Sequence, residues 1–252
     1  NDPREIVLVD NNHEPGERWL CILNTETHAK RYIYSGNIAS IPSWGRNHTI
    51  LFGTLDGNIH QIHENGDSLL AITASGGNWN PVWNVDGSRF GYRNNSSGTN
   101  YTYIFDEKKS PIDTLTQSGL GLSWNHLQYS PGTAAAWLVL GDTKNDSLII
   151  LETSPGDGRA GGGAIFIDDK TLVYSYDAGI YSIDIETRKV KVLRESCSSV
   201  LYKFPDYSPE LNKLVWLKIT LEPLSYSELF VKNEIVLMSV DGGNEEAVEL
   251  GY

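Results

Sequence analysis

One segment of the sequence has the glycine spacing of a nucleotide-binding loop. Gly156, Gly158 and Gly161 form G-x-G-x-x-G after the strand-like stretch SLIILETS, and Asp177 follows about where a ribose-binding carboxylate would lie. That chemistry also needs a helix whose N-terminus faces the pyrophosphate. The next residues, GAIFIDDKTLVYSY, have the pattern of strands joined by a turn. The glycines therefore predict a loop between strands, and we expect no cofactor.

Histidine and serine motifs point to no catalytic or metal centre. His60 and His63 are three residues apart in a predicted strand, where side chains at that spacing face opposite sides and cannot bind one ion. The other histidines show no ligand spacing, and the chain has no G-x-S-x-G, H-E-x-x-H or P-loop lysine. The sequence therefore predicts no metal site and leaves the catalytic residues unassigned.

Carboxylates are abundant, and several stand in adjacent pairs such as Asp168-Asp169 and Glu245-Glu246. Adjacent strand residues point apart and turn residues point to water, so these pairs are expected to be solvated. Two acids distant in sequence that converge in a pocket would support glycoside cleavage. The sequence gives no way to choose them, and this alternative stays open.

The elements that position these residues are marked by a recurring motif, shown best by NPVWNVDGSRFGY at residues 80–92. Asp86-Gly87 is a hairpin signal, because Gly and Asp tolerate the positive φ of a tight turn. Phe90 and Tyr92, two residues apart, point to the same face of the second strand. The motif therefore predicts strand, turn and strand.

Four other segments have the same order: IPSWGRNHTILF, LQYSPGTAAAW, AIFIDDKTLVY and FPDYSPELNKLVW. Their spacing is even, with intervals of 39, 46, 37 and 41 residues between successive aromatic anchors. We expect these anchors to fill the core between sheets. The five anchors are Trp44, Trp83, Tyr129, Phe166 and Tyr207.

About three further strands follow each anchor, and four strands per repeat of roughly 40–45 residues is typical of a β-propeller blade. The sequence therefore predicts an all-β single domain, 1–252, with six four-stranded blades. The expected blades are approximately 1–36, 37–76, 77–120, 121–160, 161–197 and 198–252. The first blade has EIVLVD, WLCILN and KRYIY but lacks an anchor strand, which either preceding residues or the C-terminal EEAVELGY must supply. Five blades plus an irregular cap is the alternative.

The motif at residues 80–92 resembles the N-x-P-x-W-S-x-D-G-x-x-I-x-F/Y repeat of TolB-type β-propellers, the family of WD-like PD repeats. The resemblance covers about residues 40–250 and is next clearest at 42–52 and 205–216. It implies a six-bladed propeller that is commonly extracytoplasmic in bacteria, and usually a scaffold for protein contacts. A repeat motif of this kind names a fold and leaves the function open.

Loops that join second to third strands, and fourth strands to the next first strand, lie on one rim of such a fold, and the remaining hairpins lie on the other. The first set is longer and less regular, and binding residues concentrate on such loops. Exposed aromatic rings among polar side chains can dock a peptide or stack on sugars. The candidate binding residues are Trp79, Asn80, Tyr101, Trp124, His126, Asp177 and Tyr226.

The composition limits the partners. A formal charge of −12 repels nucleic acid and anionic membranes, and no apolar run reaches the length of about 18 residues that a membrane-spanning helix needs. Two cysteines do not make a disulfide framework, and we expect free thiols. We further expect a monomer in an extracytoplasmic compartment, its leader already removed.

These observations favour a non-enzymatic TolB-like propeller that binds a protein or peptide through its irregular loops. One alternative is a propeller that binds or cleaves carbohydrate. Another is an accessory propeller of a larger peptidase-like protein. Convergent carboxylates about 5–10 Å apart would favour the carbohydrate alternative.

Overall fold

The computed structural model describes most of the chain as strands and turns. Between residues 123 and 153, and at residues 113, 115, 176, 223, 229 and 230, only the backbone is described. The described residues are 2, 4–11, 17–84, 87–97, 101–115, 123–124, 128–130, 133–134, 137–142, 147–153, 164–176, 179–195, 199–209, 211–223 and 229–248.

The chain divides into two compact units, Asn1–Ser118 and Gly119–Tyr252. Unit 1 contains three antiparallel sheets in which neighbouring strands are consecutive in sequence. Sheet 1 consists of β1 (Glu5–Asp10), β2 (Arg18–Asn24) and β3 (Lys30–Gly36). Sheet 2 consists of β4 (Ser43–Trp44), β5 (Thr49–Gly53), β6 (Ile59–His63) and β7 (Leu70–Ala71). Sheet 3 consists of β8 (Asn78–Trp83), β9 (Arg89–Asn94), β10 (Tyr101–Asp106) and β11 (Pro111–Leu115).

Unit 2 also contains three antiparallel sheets. Sheet 4 consists of β12 (Ser123–Trp124), β13 (Gln128–Ser130), β14 (Thr133–Ala134), β15 (Trp137–Asp142) and β16 (Ser147–Thr153). Sheet 5 consists of β17 (Ala164–Phe166), β18 (Thr171–Tyr176), β19 (Gly179–Asp184) and β20 (Val190–Arg194). Sheet 6 consists of β21 (Val200–Ser208), β22 (Lys213–Pro223), β23 (Leu229–Ser239) and β24 (Glu246–Val248).

Five of these sheets have at least four strands, and sheet 1 has three among the described residues. The all-β prediction is confirmed, and five complete blades match the alternative rather than the six four-stranded blades expected first. Glu246–Val248 pairs with β23 as the last strand of sheet 6 and therefore does not supply the strand that sheet 1 lacks. The single domain and the blade limits stay predictions.

The repeat motif fills the spaces between neighbouring sheets within each unit. Alternate residues of β5 face opposite sides: Ile50 and Phe52 pack against sheet 1, whereas Leu51 packs with Trp83 and Phe90 of sheet 3. In unit 2, residues of sheet 5 share a core with sheet 6. Each buried side chain of this size contributes about 1.5–3 kcal/mol to folding, so the blades are stabilised by their neighbours.

The predicted anchors lie in these cores. Trp83 and Phe166 are buried, and Trp44 and Tyr207 pack against the core clusters of their sheets. The prediction that the anchors are core residues is confirmed for these four, whereas the side chain of Tyr129 lies outside the described residues.

The hairpin of the motif at residues 80–92 also forms. Trp83 pairs with Phe90, and Gly87, between them in sequence, has a φ of 73°. The proline of the motif coincides with a β-bulge in β8, where the register shifts between Trp79 and Val82. A bulge leaves residues outside the ladder, which suits a residue without an N–H.

Cys21 is a free thiol on β2 and is fully buried. Burial, together with the charge of Asp10, raises the pKa of its thiol to about 12. The expectation of a free thiol is confirmed for Cys21, and Cys197 lies outside the described residues. No helix in the part of the chain described here is long and apolar enough to cross a membrane.

Candidate functional site

The candidate binding residues fall into two groups. Trp79, Asn80 and Tyr101 are described, and each is partly exposed at or near the end of sheet 3 where its loops begin. Tyr101 pairs with Asn94 across the sheet and stacks on Tyr103, with 6.2 Å between ring centroids. Three other candidates lie outside the described residues: His126, Asp177 and Tyr226. For Trp124 only the backbone is described.

The loops at this end of unit 1, which we call the loop rim, are residues 36–42, 54–58, 72–80 and 94–97. They join second to third strands or lead from one sheet to the next. Each loop is hydrogen-bonded through its backbone to the next. The bonds run from Leu55 N–H to Asn37 O (2.7 Å), from Asn78 N–H to Gly57 O (2.8 Å) and from Asn95 N–H to Gly77 O (2.9 Å).

Asn78 is the central side chain of the loop rim and is only 1% exposed. Its amide nitrogen donates to Gly57 O (3.0 Å), Gly76 O (2.9 Å) and Thr73 Oγ1 (3.1 Å). Its Oδ1 accepts from the Asn94 amide at 2.7 Å. One buried side chain therefore satisfies polar groups from three loops, and such a network fixes their relative positions.

Gly57 allows two of these loops to meet backbone to backbone. Its φ is 76°, a left-handed conformation that glycine adopts without a Cβ penalty. A Cβ at this position would lie 2.3 Å from the nitrogen of Gly77. The close approach therefore requires glycine for both conformation and space.

Apolar side chains project from this rigid frame. The Trp79 indole donates to Asn95 Oδ1 at 3.3 Å, which ties its partly exposed ring to residues 94–97. Leu55 is 57% exposed and Ile41 is 49% exposed. Neither residue was among the candidates predicted from the sequence, although an apolar residue inside a turn such as T-L-D-G-N is a signal that could have indicated Leu55.

Asp56, beside Leu55, supplies the negative charge of the loop rim. Hydrogen bonds from Thr54 Oγ1 and the Asn58 side chain lower the pKa of this exposed carboxyl. The carboxylate is thus ionised and held by its own turn. Within the described ranges no three His, Cys, Asp or Glu side chains are grouped to hold a metal ion.

The hairpin turns at the opposite ends of these strands differ in character. Glu64 accepts from Trp44 Nε1 at 3.2 Å, lies 3.0 Å from His48 Nδ1, and its backbone carbonyl accepts from Arg31. His63 and His48 stack on one another, whereas His60 stacks on Phe52, as expected for side chains on opposite faces of β6. These polar groups are bonded to each other, so the loop rim is the better candidate for the surface that binds a partner.

Unit 2 contains a partly buried charge cluster around Glu245. The carboxylate accepts from Arg194, from Lys218 Nζ (2.5 Å) and from the Tyr202 hydroxyl (2.8 Å). Burial would raise the pKa of Glu245, but the hydrogen bonds from Lys218 and Tyr202, with the charges of Lys218 and Arg194, outweigh it and hold the pKa low. The cluster joins β20 to sheet 6, so we interpret it as structural.

A second proline bulge, in β21, carries an unusual pair of residues. The register shifts between Lys203 and Asp206, and Phe204, directly before Pro205, has a φ of 55°. A non-glycine residue in this region costs about 1–2 kcal/mol, yet Phe204 is 48% exposed and gains little from burial. Asp206 is exposed as well, although desolvation by surrounding protein atoms raises its pKa.

Solved structures identify the class of fold. The chain is a β-propeller: it matches the β-propeller domain of the Trilobed protease from Pyrococcus furiosus with a TM-score of 0.59 and 13% identity, over 97% of this chain and 93% of that one.

Among propellers, its fold is TolB-like. It matches a protein assigned as TolB from Agrobacterium tumefaciens with a TM-score of 0.69 and 16% identity, over 90% of this chain and 86% of that one. It matches TolB from Acinetobacter baumannii with a TM-score of 0.69 and 19% identity, over 94% of this chain and 61% of that one, which is less than two thirds of the Acinetobacter protein. No family model and no curated protein matches the sequence.

Proposed function

We propose that this protein is a binding module that recognises a protein or peptide through the loop rim of unit 1. The observation that carries the proposal is the combination of loops hydrogen-bonded in series with the exposed side chains of Leu55 and Ile41 and the partly exposed ring of Trp79. Apolar and aromatic anchors in a polar surround are typical of interface hot spots.

Rigidity matters for the strength of such an interface. Binding is weakened by the entropy lost when loops become ordered, and a frame that is already ordered loses less. Asn78 and Gly57 hold the rim loops together before any partner is present. The exposed side chains can therefore contact a partner without a large ordering cost.

The resemblance of the repeat to TolB-type propellers, which usually scaffold protein contacts, supports a protein or peptide partner and an extracytoplasmic location. The net charge of −12 favours a partner surface that is neutral or positive. The carbohydrate and peptidase-accessory alternatives stay predictions. Comparison of peptide binding with oligosaccharide binding distinguishes the carbohydrate alternative from the proposed function.

The test uses two probes on the whole chain: a displayed library of random linear peptides and an array of oligosaccharides. Peptides selected on the wild type should bind Trp79→Ala and Leu55→Ser at least about tenfold more weakly, as expected for hot-spot truncations. The matched control is Val192→Ser, which removes a 48% exposed apolar residue from β20.

Circular dichroism and thermal unfolding establish that the variants remain folded. Equal affinity of the selected peptides for all variants would refute the loop rim as the binding surface. Oligosaccharide binding that depends on Trp79, without peptide binding, would instead support the carbohydrate alternative.

A further inference from the structure

The proline bulges of β8 and β21 are the same construction in two copies of the repeat. In each, the residue before proline has positive φ, 50° at Asn80 and 55° at Phe204, and the ladder register shifts across the X-Pro pair. Because the two prolines correspond, Phe204 occupies the position of Asn80 and Asp206 occupies the position of Val82. The two bulges can therefore be compared position by position.

The bulge itself requires neither a phenylalanine nor an aspartate. Asn is among the residues that best tolerate the left-handed region, as Asn80 illustrates, whereas a bulky aromatic residue is an outlier there. The carboxyl of Asp206 is penalised by desolvation where the other copy has an uncharged side chain. Two choices that weaken the fold within three residues indicate a role outside folding.

Both residues are also accessible to solvent. Phe204 is 48% exposed, and Asp206 is exposed while its carboxylate accepts the backbone N–H of Tyr207 at 2.8 Å. The Tyr207 hydroxyl is within 3.2 Å of Asn212 Oδ1. The bulge thus presents an aromatic ring and a carboxylate that is held in place by the backbone.

An aromatic ring and a carboxylate together are suited to an organic cation. The face of the ring attracts ammonium and guanidinium groups, and the carboxylate accepts their charged N–H donors. We propose that Phe204 and Asp206 form a recognition site for the lysine or arginine side chain of a peptide. This site lies in unit 2 and consists of residues other than those of the loop rim.

The experiment uses acetyl-Ala-Lys-Ala-amide as the probe and the same peptide with norleucine in place of lysine as the uncharged isostere. Binding is measured by NMR titration of the ¹⁵N-labelled whole chain at physiological ionic strength, which screens long-range attraction to the acidic protein. The lysine peptide should shift the amide of Tyr207 saturably, and the norleucine peptide should not. Asp206→Asn and Phe204→Asn should each weaken binding of the lysine peptide at least about fivefold.

Stability measurements distinguish recognition from a structural role. Phe204→Asn introduces the residue that the bulge of β8 has at this position, and Asp206→Asn removes a desolvated charge. Both variants should therefore unfold at the same temperature as the wild type or at a higher one. Glu222→Gln is the matched control for charge, because Glu222 is exposed on β22 of the same sheet, and it should leave peptide affinity unchanged.

Three results would overturn the proposal. A lower melting temperature for Phe204→Asn would show that the ring is needed for packing. An equal loss of affinity for Glu222→Gln and Asp206→Asn would show that the peptide responds to overall charge. Equal shifts by the lysine and norleucine peptides, or by neither, would show that the bulge does not recognise a cation.

Discussion

Replacement of Asn78 by alanine would remove the side chain that joins three loops of the loop rim. In the wild type this amide donates to Gly57 O, Gly76 O and Thr73 Oγ1 and accepts from Asn94. The Gly57 carbonyl would keep its bond from the Asn78 backbone N–H at 2.8 Å. The Gly76 carbonyl and the buried Asn94 amide would lose the contacts with Asn78 described above.

The size of the effect follows from these lost contacts. A buried polar group left unpaired costs about 1–3 kcal/mol. Asn94 is buried whereas Gly76 is partly exposed and its carbonyl can bind water, so we expect a loss of about 1–3 kcal/mol in the free energy of unfolding. The matched control is Asn65→Ala, which removes the same side chain from an exposed hairpin turn. That change should cost less than about 1 kcal/mol.

The assay must show where in the chain stability is lost, because the chain contains two compact units and its unfolding need not be a single transition. Native-state hydrogen exchange reports the opening of individual amides. The amides of Asn78 and Asn95, which bond across the rim to Gly57 and Gly77, should exchange faster in Asn78→Ala, whereas amides of sheet 6 should not change. If Asn78→Ala and Asn65→Ala cost the same and the rim amides exchange at wild-type rates, the proposed role of Asn78 is wrong.

Two other contacts predict measurable losses of stability. The pKa of Glu245 is held below its ordinary value of 4.5, so its ion pairs stabilise the fold above that pH, and this stability is lost as the pH falls through the folded pKa. The free energy of urea unfolding should therefore fall more steeply below about pH 4.5 in the wild type than in Glu245→Gln, and parallel curves would contradict this. Gly57→Ala, with a Cβ 2.3 Å from Gly77 N, should cost more than about 1 kcal/mol. Gly243→Ala, which meets nothing nearer than 3.4 Å, should cost less, and equal losses would refute the steric argument.

Local patterns were sufficient to predict core residues of the sheets whose side chains are described. Phe90 and Tyr92 alternate with polar residues or glycine after a turn signal, and both are buried as that spacing predicts. Leu214 and Trp216 have the same spacing in the last copy and are also buried. These predictions hold because the period of a strand determines which side chains share a face.

The loop rim depends on contacts between residues distant in sequence, and periodicity carries no information about them. Nothing in the sequence indicates that Asn78 bonds to Gly57, or that Gly57 must approach Gly77. The left-handed backbone of Phe204 was equally hidden, because local propensity disfavours it and the surrounding sheet imposes it. Trp79 was predicted because an aromatic residue in a polar loop is visible in the sequence.

The position before the motif proline is filled differently from copy to copy: Ile41, Asn80 and Phe204 are an aliphatic, an amide and an aromatic residue. At Asn80 and Phe204 this position lies outside the ladder register. A substitution there changes the chemistry offered to solvent while the anchors and strand pairing stay as they are. These three copies of the repeat thus have one interchangeable position, through which new specificities can arise without repacking the sheets.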